Sequence, residues 1–127
     1  ISIRSKNRDK IINIFKKNKK LNEKFKFYEG DKNVKVSWFG LPIKITGNLK
    51  KNSVIKILEK NGIETRPIIS GNFTNQPAAK KYKLGINQKF LESDKVYETS
   101  FFIGLHTDKL SKKHLYKIEK AFEIASN

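Results

Sequence analysis

Three short runs of strand-forming residues constrain the fold of this chain more than any other feature. They lie at residues 34–45, 63–69 and 100–105, and apolar residues recur at helical spacing between them. Pro42 has no amide donor, which predicts an edge position or a bulge for the first strand. The pattern predicts an α+β fold with a small antiparallel or mixed sheet of about three strands, covered by helices.

Helical patterns account for much of the remaining sequence. An amphipathic stripe predicts a long first helix over residues 4–27, with its lysines on the solvated face. Gly62 is suited to the left-handed position after a helix. Further helices are predicted after a cap at Asn52 or Ser53, over residues 78–82 and 91–97, and after a cap at Ser111.

The length of 127 residues predicts a single domain over residues 1–127. Within it we expect residues 1–30 to form a basic linking helix and residues 31–127 the α+β unit. The first residue is Ile and no signal peptide is recognisable, so we expect a fragment that works in the cytoplasm. No apolar run is long enough to span a bilayer, and no membrane partner is expected.

The residue types present exclude several kinds of chemistry. With no cysteine, the chain can form neither a disulfide nor a thiolate metal site, and it has no cysteine nucleophile. His106 and His114 lack the spacing to carboxylates that metal ligands show, so no metal site is expected.

A formal net charge of +16 points towards a polyanionic partner. However, only three of the 28 basic residues are arginine, whereas base and phosphate recognition favours arginine. A basic nucleic-acid-binding module therefore stays an alternative to the function described below.

Residues 61–77 hold the most informative motif. Arg66 precedes a proline at a strand end, where its guanidinium offers a rigid fork to a carboxylate or phosphate. Gly71 permits close approach of the backbone to a ligand, and Asn72 can both donate and accept hydrogen bonds. A structural salt bridge followed by a Gly-Asn turn is the alternative reading.

Three short motifs resemble the small domain of a known family. They are Gly-Ile-Glu-Thr-Arg-Pro at 62–67, Gly-Asn at 71–72 and Gln-Pro at 76–77. It is the DegT/DnrJ/EryC1/StrS family of sugar aminotransferases and dehydrases, and the similarity is greatest to its 3-dehydrase branch. Residues 37–43, residues 100–105 and Leu110-Ser111 agree with the family in order and spacing.

The resemblance implies the C-terminal domain of a fold-type-I enzyme that uses pyridoxal or pyridoxamine 5'-phosphate. A missing N-terminal domain would hold the cofactor, and the complete enzyme would be a homodimer. Its substrate would be a nucleotide-linked 4-keto-6-deoxy sugar, dehydrated at C3 in polysaccharide or lipopolysaccharide sugar biosynthesis. A sugar-nucleotide 4-aminotransferase of the same family is the alternative activity.

Carried over by position, the resemblance implies that Glu64, Arg66, Gly71 and Asn72 bind the substrate. Asn75 stands where several relatives have a basic residue. Phe101 and Phe102 could line the cleft, although core packing is expected for at least one of them, and Trp38 is expected in the core. The cofactor-binding lysine or histidine would lie in the missing domain, so this fragment is predicted to be inactive and to bind no cofactor.

Overall fold

The computed structural model describes residues 1–31, 33–83 and 88–127. Short helices alternate with short strands along this part of the chain. In order, the elements are α1 (Ser2–Lys17), α2 (Lys19–Lys24), β1 (Phe25–Phe27), β2 (Gly40–Ile45), α3 (Lys51–Lys60), β3 (Thr65–Pro67), a 3-10 turn (Phe73–Asn75), α4 (Pro77–Lys81), α5 (Leu91–Thr99), β4 (Ser100–Gly104) and α6 (Lys112–Ala125).

The strands form one antiparallel sheet in the order β1-β2-β4-β3. The register pairs Phe25 with Ile45, Ile43 with Phe101, and Arg66 with Phe102. The predicted α+β class is therefore confirmed, with an antiparallel sheet of four strands where about three were expected.

One face of the sheet carries the hydrophobic core. Side chains alternate along a strand, so every second residue of β2 and β4 points to this face. Helices α1, α3 and α6 pack together over it. Four aromatic rings meet edge to face between these layers, at centroid distances of 4.9 to 6.0 Å, and belong to Phe15, Phe25, Phe27 and Phe122.

The opposite side of the sheet carries the alternate residues of the strands. We call it the open face and define it by Gly40, Pro42, Phe102, Gly104 and Arg66. Arg66 and Gly104 are exposed there, and Pro42 and Phe102 are half-buried. The open face is therefore accessible next to the strand that carries the central motif.

The single helix predicted over residues 4–27 is wrong. Asn18 leaves the helical conformation, with φ −96° and ψ 100°, and its side chain caps α2 by accepting the amide hydrogen of Leu21. The last part of the segment then becomes β1, because Phe25 and Phe27 alternate around Lys26 and both turn their rings to the core.

The edge position predicted from Pro42 is also wrong, since β2 lies between β1 and β4. The proline is tolerated because pairing with β1 extends only from Ile45 to Ile43. Pro42 stands just beyond that paired segment, where no amide donor is required. The predicted first strand is also shorter than expected, because β2 begins at Gly40.

The predicted helix ends have mixed outcomes. Helix α3 begins after Lys50 without a side-chain cap, so the cap predicted at Asn52 or Ser53 is wrong. Gly62 takes the predicted left-handed conformation, with φ +78°. Ser111 caps α6 as predicted, accepting the amide hydrogen of His114, whose ring accepts in turn from the Ser111 amide.

Candidate functional site

Glu64 and Arg66 form an ion pair at the edge strand β3. Nη2 and Nε of Arg66 lie 2.5 and 3.0 Å from the same oxygen, Oε1 of Glu64. Both side chains are exposed, and an ion pair in such a place contributes roughly 0–1 kcal/mol to stability. Glu64 therefore orients the guanidinium weakly enough for a ligand anion to compete for it.

The segment of residues 70–76, here called the 70–76 loop, follows β3 and contains the 3-10 turn. Gly71, its second residue, has φ +58°, a left-handed conformation that favours glycine. A Cβ added at Gly71 would lie 2.6 Å from Cδ2 and 2.8 Å from Cβ of Tyr97. The close approach that this glycine permits is thus to helix α5 within the same chain.

Asn72 is 4% exposed, and its side chain is hydrogen-bonded within the protein. Its Nδ2 donates to Oδ1 of Asp94 at 2.7 Å. Its Oδ1 accepts from the amide of Thr74 at 3.0 Å and from the hydroxyl of Thr74 at 2.7 Å. This pattern makes Asn72 the organiser of the 70–76 loop.

Asp94 is a functional candidate that the sequence did not reveal. It lies in the first turn of α5 and also accepts from Nδ2 of Asn75, again at 2.7 Å. Asn75 is therefore a second anchor of the loop. A carboxylate in the first turn of a helix was the one available signal, and many surface residues share it.

The structure brings the four predicted site residues together as two pairs. Glu64 and Arg66 bind each other on β3, whereas Gly71 and Asn72 are held against α5. Within the described residues, no hydrogen bond or ion pair joins one pair to the other. The two pairs are separated along the chain by residues 67–70.

Phe101 and Phe102 are neighbours on β4, so their side chains point to opposite faces of the sheet. Phe101 is fully buried in the core, as expected for at least one of the two phenylalanines, and Phe102 lies on the open face. Phe39 is 64% exposed and meets the ring of Phe102 edge to face, at 5.4 Å between centroids. Trp38 packs against the core as expected, with the Arg8 guanidinium 4.6 Å from its ring centre.

Lys51 is the lysine to test as a partner for an aldehyde cofactor. Burial lowers the pKa of Lys51 from its usual 10.5, while the charge of Glu98 acts in the opposite direction. However, Nζ donates to the backbone oxygen of Tyr97 and lies 4.9 Å from the centre of the Tyr97 ring.

A cofactor lysine also needs an acid for the pyridine nitrogen and a cradle for the phosphate. Nζ of Lys51 is instead tied to the backbone oxygen of Tyr97 in α5. In the described ranges of the chain, no three histidine or acidic side chains are grouped to hold a metal ion. No helix among them has the length and apolar character needed to cross a membrane.

The chain is similar in sequence to known proteins of sugar biosynthesis and sugar modification. The lipopolysaccharide biosynthesis protein RfbH of Salmonella typhimurium is 30% identical over 89 residues, which are 68% of this chain and 20% of that protein. The GDP-4-keto-6-deoxy-D-mannose 3-dehydratase of Yersinia pseudotuberculosis is 33% identical over 89 residues, 66% of this chain and 23% of the enzyme.

A solved structure has the same fold. It is the E. coli GDP-4-keto-6-deoxy-D-mannose-3-dehydratase with bound hydrated PLP, which matches with a TM-score of 0.75 at 22% identity. The match covers 95% of this chain and 30% of the enzyme. The chain thus spans between a fifth and a third of the length of these proteins. A sequence model of one family matches residues 1–123, and the chain belongs to that family, the DegT/DnrJ/EryC1/StrS aminotransferase family.

Proposed function

We propose that this chain is the C-terminal small domain of an enzyme that dehydrates a nucleotide-linked 4-keto-6-deoxy sugar at C3. The observation that carries the proposal is the exposed Glu64–Arg66 pair on the open face, next to a loop held against α5. Similarity to a 3-dehydratase over two thirds of the chain supports this choice of reaction.

In this proposal the small domain binds the nucleotide part of the substrate. Arg66 offers two N–H groups in one plane, the geometry that suits two oxygens of a diphosphate. Glu64 holds the guanidinium at the open face until the anion replaces it. The net charge of +16 raises the local concentration of such an anion.

The cofactor would be pyridoxal or pyridoxamine 5'-phosphate, held by an N-terminal domain outside this chain. When bound, the cofactor would supply an electron sink for the loss of the hydroxyl at C3. The residues described here contribute no group to that chemistry. Their part is to bind the nucleotide and exclude water when the domain closes, and the 127-residue chain alone would be inactive.

The family description names aminotransferases, which supports a sugar-nucleotide 4-aminotransferase as the second candidate. The residue that separates the two activities, histidine in the dehydrases and lysine in the aminotransferases, would lie in the N-terminal domain. Determining the coding sequence upstream of Ile1 decides between them. We further propose a homodimer that works in the cytoplasm in polysaccharide or lipopolysaccharide sugar biosynthesis.

The nucleotide contact can be tested on the chain itself. GDP and dTDP are titrated into the ¹⁵N-labelled protein, and shifts are expected at Arg66, Phe102 and the 70–76 loop. Arg66→Ala should weaken binding roughly tenfold, because charge-assisted hydrogen bonds are lost. Lys113→Ala removes one exposed positive charge from α6 and serves as the matched control.

Two results would contradict the nucleotide contact. One is a titration in which the shifts lie away from the open face. The other is an equal loss of affinity in Arg66→Ala and Lys113→Ala, which would mean that general charge attraction, the basis of a nucleic-acid-binding module, accounts for binding.

A further inference from the structure

We propose that Asp94 is the positioning residue of the 70–76 loop, and that Asn72 influences the substrate through the shape of this loop. The inference rests on the proposed function, because it assigns a task to residues that border the proposed nucleotide site. It makes Asp94, on a different element from the central motif, part of substrate recognition.

The first argument is the way in which Asp94 spans the 3-10 turn. Asn72 caps the turn and Asn75 ends it, and the two side-chain amides donate to the same oxygen of Asp94. Both distances are 2.7 Å, in the range of strong hydrogen bonds to an ionised acceptor. Because one atom holds both ends of the turn, moving Asp94 moves the turn as a unit.

The second argument is the neighbouring contact on the same helix. Tyr97 lies three residues after Asp94, so the two side chains share a face of α5. Tyr97 lies against Gly71 at the start of the loop. Lys51 in turn binds the backbone oxygen of Tyr97, which connects α5 to α3. The face of α5 that holds the loop is thus itself fixed to the core layer.

The third argument concerns which loop groups are left for a ligand. Oδ1 of Asn72 accepts two hydrogen bonds, which use both of its acceptor positions, and the side chain is almost fully buried. Phe73, in contrast, is 50% exposed. A substrate at this loop would therefore meet the backbone and exposed side chains such as Phe73, whose placement depends on Asp94.

The test compares three variants of the 127-residue protein. Asp94→Ala removes the shared acceptor, and Asp94→Asn keeps an oxygen in the same place. Glu92→Ala is the matched control, because this carboxylate lies on the same helix and pairs with Lys95 at 2.6 Å. The readouts are amide hydrogen exchange and the affinity for GDP in the NMR titration.

We expect Asp94→Ala to speed exchange at the Thr74 and Gln76 amides at least tenfold. Exchange at Phe101 and Ile103 in the core should stay unchanged, which shows that the protein still folds. The affinity for GDP should fall about fivefold in Asp94→Ala, recover largely in Asp94→Asn and stay unchanged in Glu92→Ala. Recovery in the conservative variant distinguishes positioning from a general loss of stability.

Unchanged exchange at Thr74 in Asp94→Ala would overturn the inference. Faster exchange with unaltered affinity for GDP would overturn it as well, because the loop would then not position the nucleotide. If the unmodified protein binds no GDP or dTDP, the proposed function fails and takes the substrate role of Asp94 with it. The exchange data would still show separately whether Asp94 holds the loop.

Discussion

At the scale of single residues, Gly62 and Gly71 show that one sequence signal has two physical causes. Both have a positive φ, of +78° and +58° respectively. A Cβ at Gly62 would find no atom within 4 Å, whereas one at Gly71 would overlap Tyr97. Gly62 is therefore required by the backbone conformation alone, and Gly71 also by its contact with α5.

Gly71→Ala should destabilise the protein by roughly 3 kcal/mol, because left-handed strain adds to the overlap with Cα and Cβ of Tyr97. Gly62→Ala should cost about 1 kcal/mol, from strain alone. Urea denaturation measures both free energies of unfolding. Tyr97→Ala removes Cδ2, the atom nearest to the added Cβ at 2.6 Å, and keeps Cα and Cβ. Combining Gly71→Ala with Tyr97→Ala should therefore cost less than the sum of the single changes, and strict additivity would show that the overlap with the ring is unimportant.

Lys51 should give the stability of the protein a defined dependence on pH. Burial disfavours its charge in the folded state, so the folded protein releases this proton at lower pH than the unfolded chain. Between the lowered pKa and 10.5, the unfolded chain binds more protons, and stability therefore rises with pH.

The matched variant is Lys51→Met, which keeps the apolar stem. The difference in the free energy of unfolding, unmodified protein minus Lys51→Met, should be constant at neutral pH and below. It should increase as the pH approaches 10.5. A difference that decreases over this alkaline range would mean that the charged amine is stabilised where it lies.

At the scale of elements, the sequence predicted the correct helix or strand where one spacing of apolar residues extends through the whole element. The stripe and cap of α6 and the strand at β4 are examples, whereas the strand predicted at residues 63–69 is limited to Thr65–Pro67. Prediction failed at residues 18–27, where the apolar positions suit a helix as well as a strand. The choice depends on the pairing of β1 with β2, a contact distant in sequence.

The same limit applied to the candidate site. Residues 62–77 were recognisable from their order along the chain, and the Arg66 side chain is exposed. The contact between Asn72 and Asp94 spans 22 residues and two elements. Because it depends on how α5 packs, nothing local in the sequence could assign Asp94 to the loop.

Asn18 makes the break between α1 and α2 testable. Its Oδ1 caps α2, and its Nδ2 donates to Glu119 and Glu123 of α6 at 3.3 and 3.0 Å. Asn18→Ala should lower the free energy of unfolding by about 2 kcal/mol, the sum of a lost cap and lost hydrogen bonds to carboxylates. Asn22→Ala, an exposed position in α2, should change it by less than about 0.5 kcal/mol in the same urea titration. Equal effects would contradict the capping role.

At the scale of the whole molecule, the charge is the dominant property. The chain has 28 basic and 12 acidic residues. The ion pairs found within the described residues join groups close in sequence, such as Lys120 with Glu123 and Arg66 with Glu64. Because basic residues outnumber acidic ones, repulsion exceeds attraction when the charges of the whole chain are summed. This favours binding of anions and opposes the compact state.

This imbalance predicts that salt stabilises the protein. At about 0.1 M ionic strength, surface charges more than roughly 10 Å apart are already screened, so NaCl removes more repulsion than attraction here. Raising NaCl from about 20 mM to about 0.5 M should raise the thermal midpoint by about 4 °C, which corresponds to roughly 1 kcal/mol.

The double variant Lys56→Gln, Lys117→Gln lowers the net charge at two exposed mid-helix positions. It should melt higher than the unmodified protein at low salt and respond less to NaCl, which separates screening from a general salt effect. A midpoint that falls with salt would mean instead that local ion pairs outweigh the long-range repulsion of the 28 basic residues.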